Sequence, residues 1–139
     1  MKILVINGPN LNMLGLRDKD QYGSFTLDDL NGIILNHFKD IEFDFFQSNH
    51  EGEIIDKLQT FSKYDGIIIN PGAFTHYSYA IRDSIELISI DVIEVHISSV
   101  DSREEFRRKS VTAPVCTGKI SGFKEYSYIL GIEYLVRNL

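Results

Sequence analysis

Arg17 and Tyr22 lie between Gly15 and Gly23, in a stretch that runs from Asn7 to Gly23. A cation beside a phenol favours the phenolate and so lowers the phenol's pKa. That makes Tyr22 a candidate general base. Gly8, Pro9, Gly15 and Gly23 bend and hinge the backbone here, as a loop closing over a substrate requires. The alternative is a surface loop whose Arg and Tyr are merely solvated. A second pair is Glu94 and His96, two residues apart in Val92-Ile93-Glu94-Val95-His96-Ile97-Ser98. On a strand the two side chains share a face. A carboxylate beside an imidazole orients it, fixes its tautomer and raises its pKa, which suits His96 to donate a proton. The alternative is a buried structural ion pair.

These residues need elements to hold them. Ile3 to Ile6 is a continuous apolar run, expected of a buried strand. After Gly23, Thr26 is a good N-cap, and Asp28 and Asp29 suit the positive end of a helix. Leu27, Leu30, Ile34 and Phe38 then repeat at helical spacing to about Lys39, with Gly32 a mild weakness. Ile41 to Phe45 alternates as a second strand. Ile54, Ile55, Leu58 and Phe61 mark a second helix, and Ile67 to Ile69 a third strand. A third helix carries Ala80, Ile81, Ile85 and Ile88, and Val92 onward forms the fourth strand. The charged piece from Ser102 to Arg108 reads as a short helix, Pro114 to Ile120 as a fifth strand, and Tyr126 to Leu135 as a last helix. Such strand–helix alternation builds a parallel sheet covered on both faces. The prediction is a single α/β domain over residues 1–139, a flavodoxin-like three-layer sandwich with a five-stranded sheet in the order 2-1-3-4-5.

Ligands of such sheets bind beyond the carboxyl ends of the strands. There the chain places Asn7, Asn10 and Asn12, then Ser48, Asn49 and His50, then Asn70 and His76, then Glu94, His96 and Ser98, and finally Ser121. Any one could be a turn residue. Polar side chains at every strand end predict a small-molecule site. His37 falls mid-helix, as an ordinary surface residue.

Composition narrows the options. The net charge of −6 and the absence of a basic run argue against nucleic-acid binding. No apolar run approaches the length of a membrane span, and Met1-Lys2 leads straight into a strand, with no signal peptide in view. Cys116, the single cysteine, falls in the expected fifth strand and reads as a buried structural thiol. Without a disulfide framework, a reducing cytoplasm is the expected compartment. The histidines lack metal-ligand spacing, and no Walker A or GxGxxG sequence follows the first strand.

Dispersed motifs carry a resemblance. They include Gly8-Pro9-Asn10-Leu11-Asn12 with Leu14-Gly15, Arg17 with Tyr22-Gly23, and Phe45-Phe46-Gln47-Ser48-Asn49-His50-Glu51-Gly52. Ile67-Ile68-Ile69-Asn70-Pro71-Gly72-Ala73, His76, Ala80-Ile81-Arg82-Asp83, Glu94-Val95-His96-Ile97-Ser98, Arg103-Glu104-Glu105-Phe106-Arg107 and Ile120-Ser121-Gly122-Phe123 continue it in order. In these the chain resembles the type II 3-dehydroquinate dehydratases over nearly its whole length. The resemblance implies a cofactor-free, metal-free enzyme assembled as a dodecamer of trimers. It would convert 3-dehydroquinate to 3-dehydroshikimate in the shikimate pathway or in quinate breakdown. Tyr22 would remove the C2 proton, Arg17 hold Tyr22 ionised, Asn10 help bind a water or the enolate oxygen, and His96, supported by Glu94, protonate the leaving C1 hydroxyl. Asn70, His76, Asp83, Ile97, Ser98 and Arg107 would bind substrate, with Asp83 lent to a neighbouring subunit and the Ile97 and Ser98 amides taking the carboxylate.

Three departures stand out: Lys19 where the family often has proline, Lys124 where it often has glycine, and Leu16 where a small polar residue is frequent. They bear on the rate and the lid's dynamics. Two rival readings remain at this point. One is a hydrolase with Cys116 as nucleophile, which would need an exposed, activated thiol. The other is a binding module that keeps the pocket without catalysis.

Overall fold

The computed structural model describes residues 1–139. Five parallel strands form one sheet in the order β2-β1-β3-β4-β5: β1 Lys2–Asn7, β2 Glu42–Gln47, β3 Gly66–Asn70, β4 Asp91–His96 and β5 Gly118–Ser121. The predicted topology is the observed one. The central strands β1 and β3 are apolar and buried on both sides, as a doubly covered parallel sheet demands.

Alternate residues of the strands feed two cores. Ile3, Val5, Ile68 and Val95 pack with Leu30 and Ile34 of helix α2 (Leu27–His37) and with Ile129, Ile132 and Leu135 of helix α5 (Tyr126–Asn138). On the other face Leu4, Ile6, Ile67 and Ile69 pack with Ile54 and Leu58 of α3 (Glu51–Leu58) and with Ile81 and Ile85 of α4 (Tyr79–Glu86). The period of two in the strands and of 3.6 in the helices brings these sets together. Thr26 caps α2 as expected, in a reciprocal capping box: its side chain accepts from Asp29 N–H, and Asp29 accepts from Thr26 N–H. No helix is long and apolar enough to cross a membrane.

Three local expectations need correction. The fifth strand begins at Gly118, because Ala113–Val115 is a 3-10 turn with Pro114 near its start. Proline has no N–H to give a ladder. Cys116 therefore lies just outside the sheet, half-buried, its thiol donating to Thr112 O at 3.4 Å. The charged piece is two 3-10 turns, Val100–Ser102 and Glu105–Arg108, rather than one helix. The long stretch after β1 is ordered by a 3-10 turn at Leu11–Met13 and by the one-turn helix α1, Lys19–Tyr22, whose N-cap Asp18 accepts from Asp20 N–H.

Candidate active site

The cleft lies at the carboxyl edge of the sheet, where the loops after β1, β3 and β4 meet. Two of these loops touch through backbone. Gly8 N–H donates to Asn70 O at 2.8 Å, and a Cβ on Gly8 would stand 2.5 Å from Pro71 O, so only glycine allows this approach. Gly72, at φ 60, meets Pro9 from the other side. Asn10 follows with φ 69, a left-handed conformation that asparagine tolerates, and its N–H is held by Asn49 Oδ1 at 3.0 Å.

Helix α1 sets the first chemical group. Tyr22, its last residue, is only 8% exposed and belongs to the core beneath α2 and α5. It is not a solvated loop residue. Its hydroxyl accepts from Arg103 Nη1 at 2.5 Å. The Arg17 guanidinium carbon lies 3.7 Å from the ring centroid. Arg17 thus acts on the ring's face and Arg103 on its oxygen. Burial lowers the Arg17 pKa from its usual value; the Tyr22 oxygen opposes this, while Arg103 and Arg107 add to it. Three guanidinium groups around one half-buried cleft make a place for an anion.

The second group enters from the other side of the sheet. Glu94 and His96 share a face with Val92, whose side chain joins the core under α3 and α4. His96 Nε2 donates to Glu94 Oε2 at 2.9 Å. With Nε2 committed, Nδ1 is the ring atom left for a ligand. Glu94 is fully buried and fully satisfied. Its Oε2 also accepts from Thr75 Oγ1 at 3.0 Å and Ser110 Oγ at 3.1 Å, and its Oε1 accepts from Thr112 Oγ1. Burial alone would raise the carboxyl pKa. The bonds from His96, Thr112 and Thr75, with the charge of His96, outweigh it and hold the group below its ordinary value.

Asn10, Arg17, Tyr22, Asn70, His76, His96, Ile97, Ser98 and Arg107 all line this cleft, which holds about 120 Å³ of free space. His76 Nδ1 donates to Lys109 O at 2.7 Å, leaving Nε2 as an acceptor when the ring is neutral. Glu94 stands behind His96 rather than in the cleft. Asp83 is exposed on α4 and does not reach this cleft. Sequence reasoning missed Arg103 as a site residue. Its signal was an arginine just past the β4 exit, masked by the alternating charges around it. The carboxylate's hydroxyl partners Thr75, Ser110 and Thr112 left no local signal. Cys116 does not line the cleft, and burial, with the Glu94 charge adding, pushes its thiol pKa up. That removes the support for a cysteine nucleophile. His50 is exposed outside the cleft, and His37 is a surface residue 3.7 Å from Glu133.

A guanidinium-backed phenol and a carboxylate-backed imidazole face one cationic cleft at the edge of a flavodoxin-like sheet, an arrangement capable of acid–base chemistry. Comparison with known proteins narrows the class. The family described as "Dehydroquinase class II" matches residues 1–136. A 3-dehydroquinate dehydratase of Thermotoga neapolitana is 61% identical over 97% of this chain and 94% of its own. One from Caldicellulosiruptor bescii is 58% identical over 96% and 95%. The crystal structure of a type II dehydroquinase from Butyrivibrio crossotus superposes with a TM-score of 0.95 at 56% identity, covering 98% of this chain and 97% of that one. The chain belongs to the class II dehydroquinase family.

Proposed function

We propose that the cleft dehydrates 3-dehydroquinate to 3-dehydroshikimate and water, in the shikimate pathway, with Tyr22 as base and His96 as acid. Tyr22 Oη, as phenolate, takes a proton from C2, next to the ring ketone. The C2–H electron pair moves to the ketone oxygen as an enolate. On its collapse the C1–O bond breaks, and His96, entering the step as the imidazolium with its Nε2–H on Glu94, gives its Nδ1 proton to the departing hydroxyl, which leaves as water. The observation that carries this reading is the placement of the two groups. A phenol held by Arg103 and Arg17 enters from the α2/α5 side, and an imidazole held by Glu94 enters from the α3/α4 side.

An isolated phenol, pKa about 10, is mostly protonated at neutral pH. Two guanidinium groups supply the positive charge its ionised form needs. A proton alpha to a ketone is weakly acidic, so the enolate needs donors placed in advance. Asn10, on its left-handed turn, supplies one, directly or through a water. The substrate carboxylate falls to the Ile97 and Ser98 amides, with Asn70, His76 and Arg107 binding the rest of the molecule.

Asp83 lies outside its own subunit's cleft and completes a neighbour's in an assembly of trimers forming a dodecamer. The cytoplasm is the compartment that fits a chain with one cysteine and no disulfide. Neither a metal nor an organic cofactor is needed for these steps. The test is direct: purified protein with 3-dehydroquinate, followed by the ultraviolet absorbance of the conjugated enone. Appearance of 3-dehydroshikimate supports the reading. Tight binding of substrate with no turnover would reduce the protein to a binding module.

A further inference from the structure

Asn7 takes no part in the steps above, yet it is almost completely buried at the end of β1. It is paired in register with Asn70 at the end of β3. Both face α5, where Tyr128 is fully buried. Tyr128 Oη donates to Asn7 Oδ1 at 2.5 Å, and a carbonyl oxygen can only accept. The hydroxyl has a single hydrogen, so toward Asn70 it offers only lone pairs. Asn70 answers with Nδ2, which donates to Tyr128 Oη at 2.9 Å. The other end of the amide is held too, because Asn70 Oδ1 accepts from Gly72 N–H at 3.1 Å. Both ends are thereby assigned, and Nδ2 keeps one further hydrogen.

We propose that Tyr128, backed by Asn7, is a positioning residue that fixes the polarity of the Asn70 amide, so that Asn70 meets the substrate as a hydrogen-bond donor. Tyr128 does not itself line the cleft, whereas Asn70 does. A flipped amide would turn Oδ1 to the ligand and set lone pair against lone pair. Packing alone does not call for the hydroxyl, since a phenylalanine ring would fill the same space; what phenylalanine would lose is the shared partner of Asn7 Oδ1 and Asn70 Nδ2. The proposal rests on the reading of the cleft as the 3-dehydroquinate site.

The test is a cycle of Tyr128→Phe and Asn70→Ala, with steady-state kinetics on 3-dehydroquinate. Tyr128→Phe keeps the ring but removes the acceptor of Asn70 Nδ2, leaving Gly72 N–H alone to hold the amide's orientation. KM should rise roughly 3- to 10-fold, the scale of one hydrogen bond, while kcat changes less. In an Asn70→Ala background the same substitution should move KM by less than about 2-fold, because the group it acts on is gone. A general structural defect would instead raise KM equally in both backgrounds, and that result overturns the proposal. So does an unchanged KM in Tyr128→Phe when Asn70→Ala alone raises it. An unchanged KM in Asn70→Ala removes Asn70 from the substrate site, and the proposal falls with that assignment. Asn7→Leu is the second variant and carries the test if Tyr128→Phe does not fold. It leaves Tyr128 free to donate to Asn70 Oδ1, and should raise KM only when Asn70 is present.

Discussion

Glu94→Gln isolates the charge beneath His96 from the hydrogen bonds that hold it. Three donors converge on Oε2, from His96, Thr75 and Ser110, and one reaches Oε1, from Thr112. A glutamine fits this shell if its carbonyl oxygen takes the Oε2 position. Its amide nitrogen, Nε2, at the Oε1 position, then donates to Thr112 Oγ1, whose own hydrogen turns to Thr75 Oγ1, 2.8 Å away. The variant should fold, with His96, Thr75, Ser110 and Thr112 all still paired. What it loses is the negative charge 2.9 Å from the His96 ring. Hydrogen bonds to charged groups are worth about 1.5–3 kcal/mol, against about 1 for neutral ones. A loss of about 1–2 kcal/mol from the transition state corresponds to a kcat lower by roughly 5- to 30-fold, with KM little changed.

The same substitution alters stability against pH. The folded-state pKa of Glu94 is depressed below the ordinary 4.5. In the window between them the unfolded chain binds a proton that the folded chain does not. The stabilisation by ionised Glu94 is thus fully present above about 4.5 and is lost as pH falls through the folded value. Urea unfolding of parent and variant from neutral to acid pH should show the parent losing more stability than Glu94→Gln. A Gln variant with parental kcat and a parallel acid profile would refute the role of this charge.

Further outcomes follow from other contacts. Arg103→Gln removes the 2.5 Å charge-assisted bond to Tyr22 Oη and should lower kcat roughly 10- to 150-fold, about 1.5–3 kcal/mol; steady-state kinetics at parental activity would exclude Arg103 from supporting the base. Lys124 adopts φ 52, and its N–H donates to Ile97 O at 3.0 Å. Lys124→Gly should relieve about 1–2 kcal/mol of left-handed strain against about 0.5–1 of added backbone entropy, so urea unfolding should show a gain of up to about 1.5 kcal/mol. Mixing subunits tests Asp83. Inactive Asp83→Ala and inactive Tyr22→Phe chains, unfolded and refolded together, should regain part of the activity if Asp83 serves a neighbour's cleft, and none if each cleft uses only its own chain.

What the sequence disclosed depended on how local the signal was. The strand order followed from five apolar runs separated by helical periodicities, and Glu94-x-His96 from the two-residue repeat of a strand. Arg17 and Tyr22 sat in one short loop, so their proximity was legible before the burial that gives it force. Arg103 was not, because it reaches Tyr22 across 81 residues, and only the 3-10 turns after β4 aim it there. Thr75, Ser110 and Thr112 come from two separate loops and look like ordinary turn residues until Glu94 lies between them. Tyr128 fell inside the expected last helix with no signal of its own, and its bond to Asn7 spans 121 residues. The fifth strand was read too long because Val115 and Cys116 have strand-like side chains. Pro114 instead closes a 3-10 turn ahead of Gly118.

The division of labour between Tyr22 and His96 is tested most directly by proton exchange at C2. 3-Dehydroquinate is held with each variant in deuterated buffer and followed by NMR for loss of the C2 proton signal, alongside formation of 3-dehydroshikimate. Tyr22→Phe should stop both, because no enolate forms without the base. His96→Ala should stop dehydration while C2 exchange continues, since proton abstraction precedes departure of the hydroxyl. Exchange that survives in Tyr22→Phe and disappears in His96→Ala would contradict the assignment and reverse the two roles.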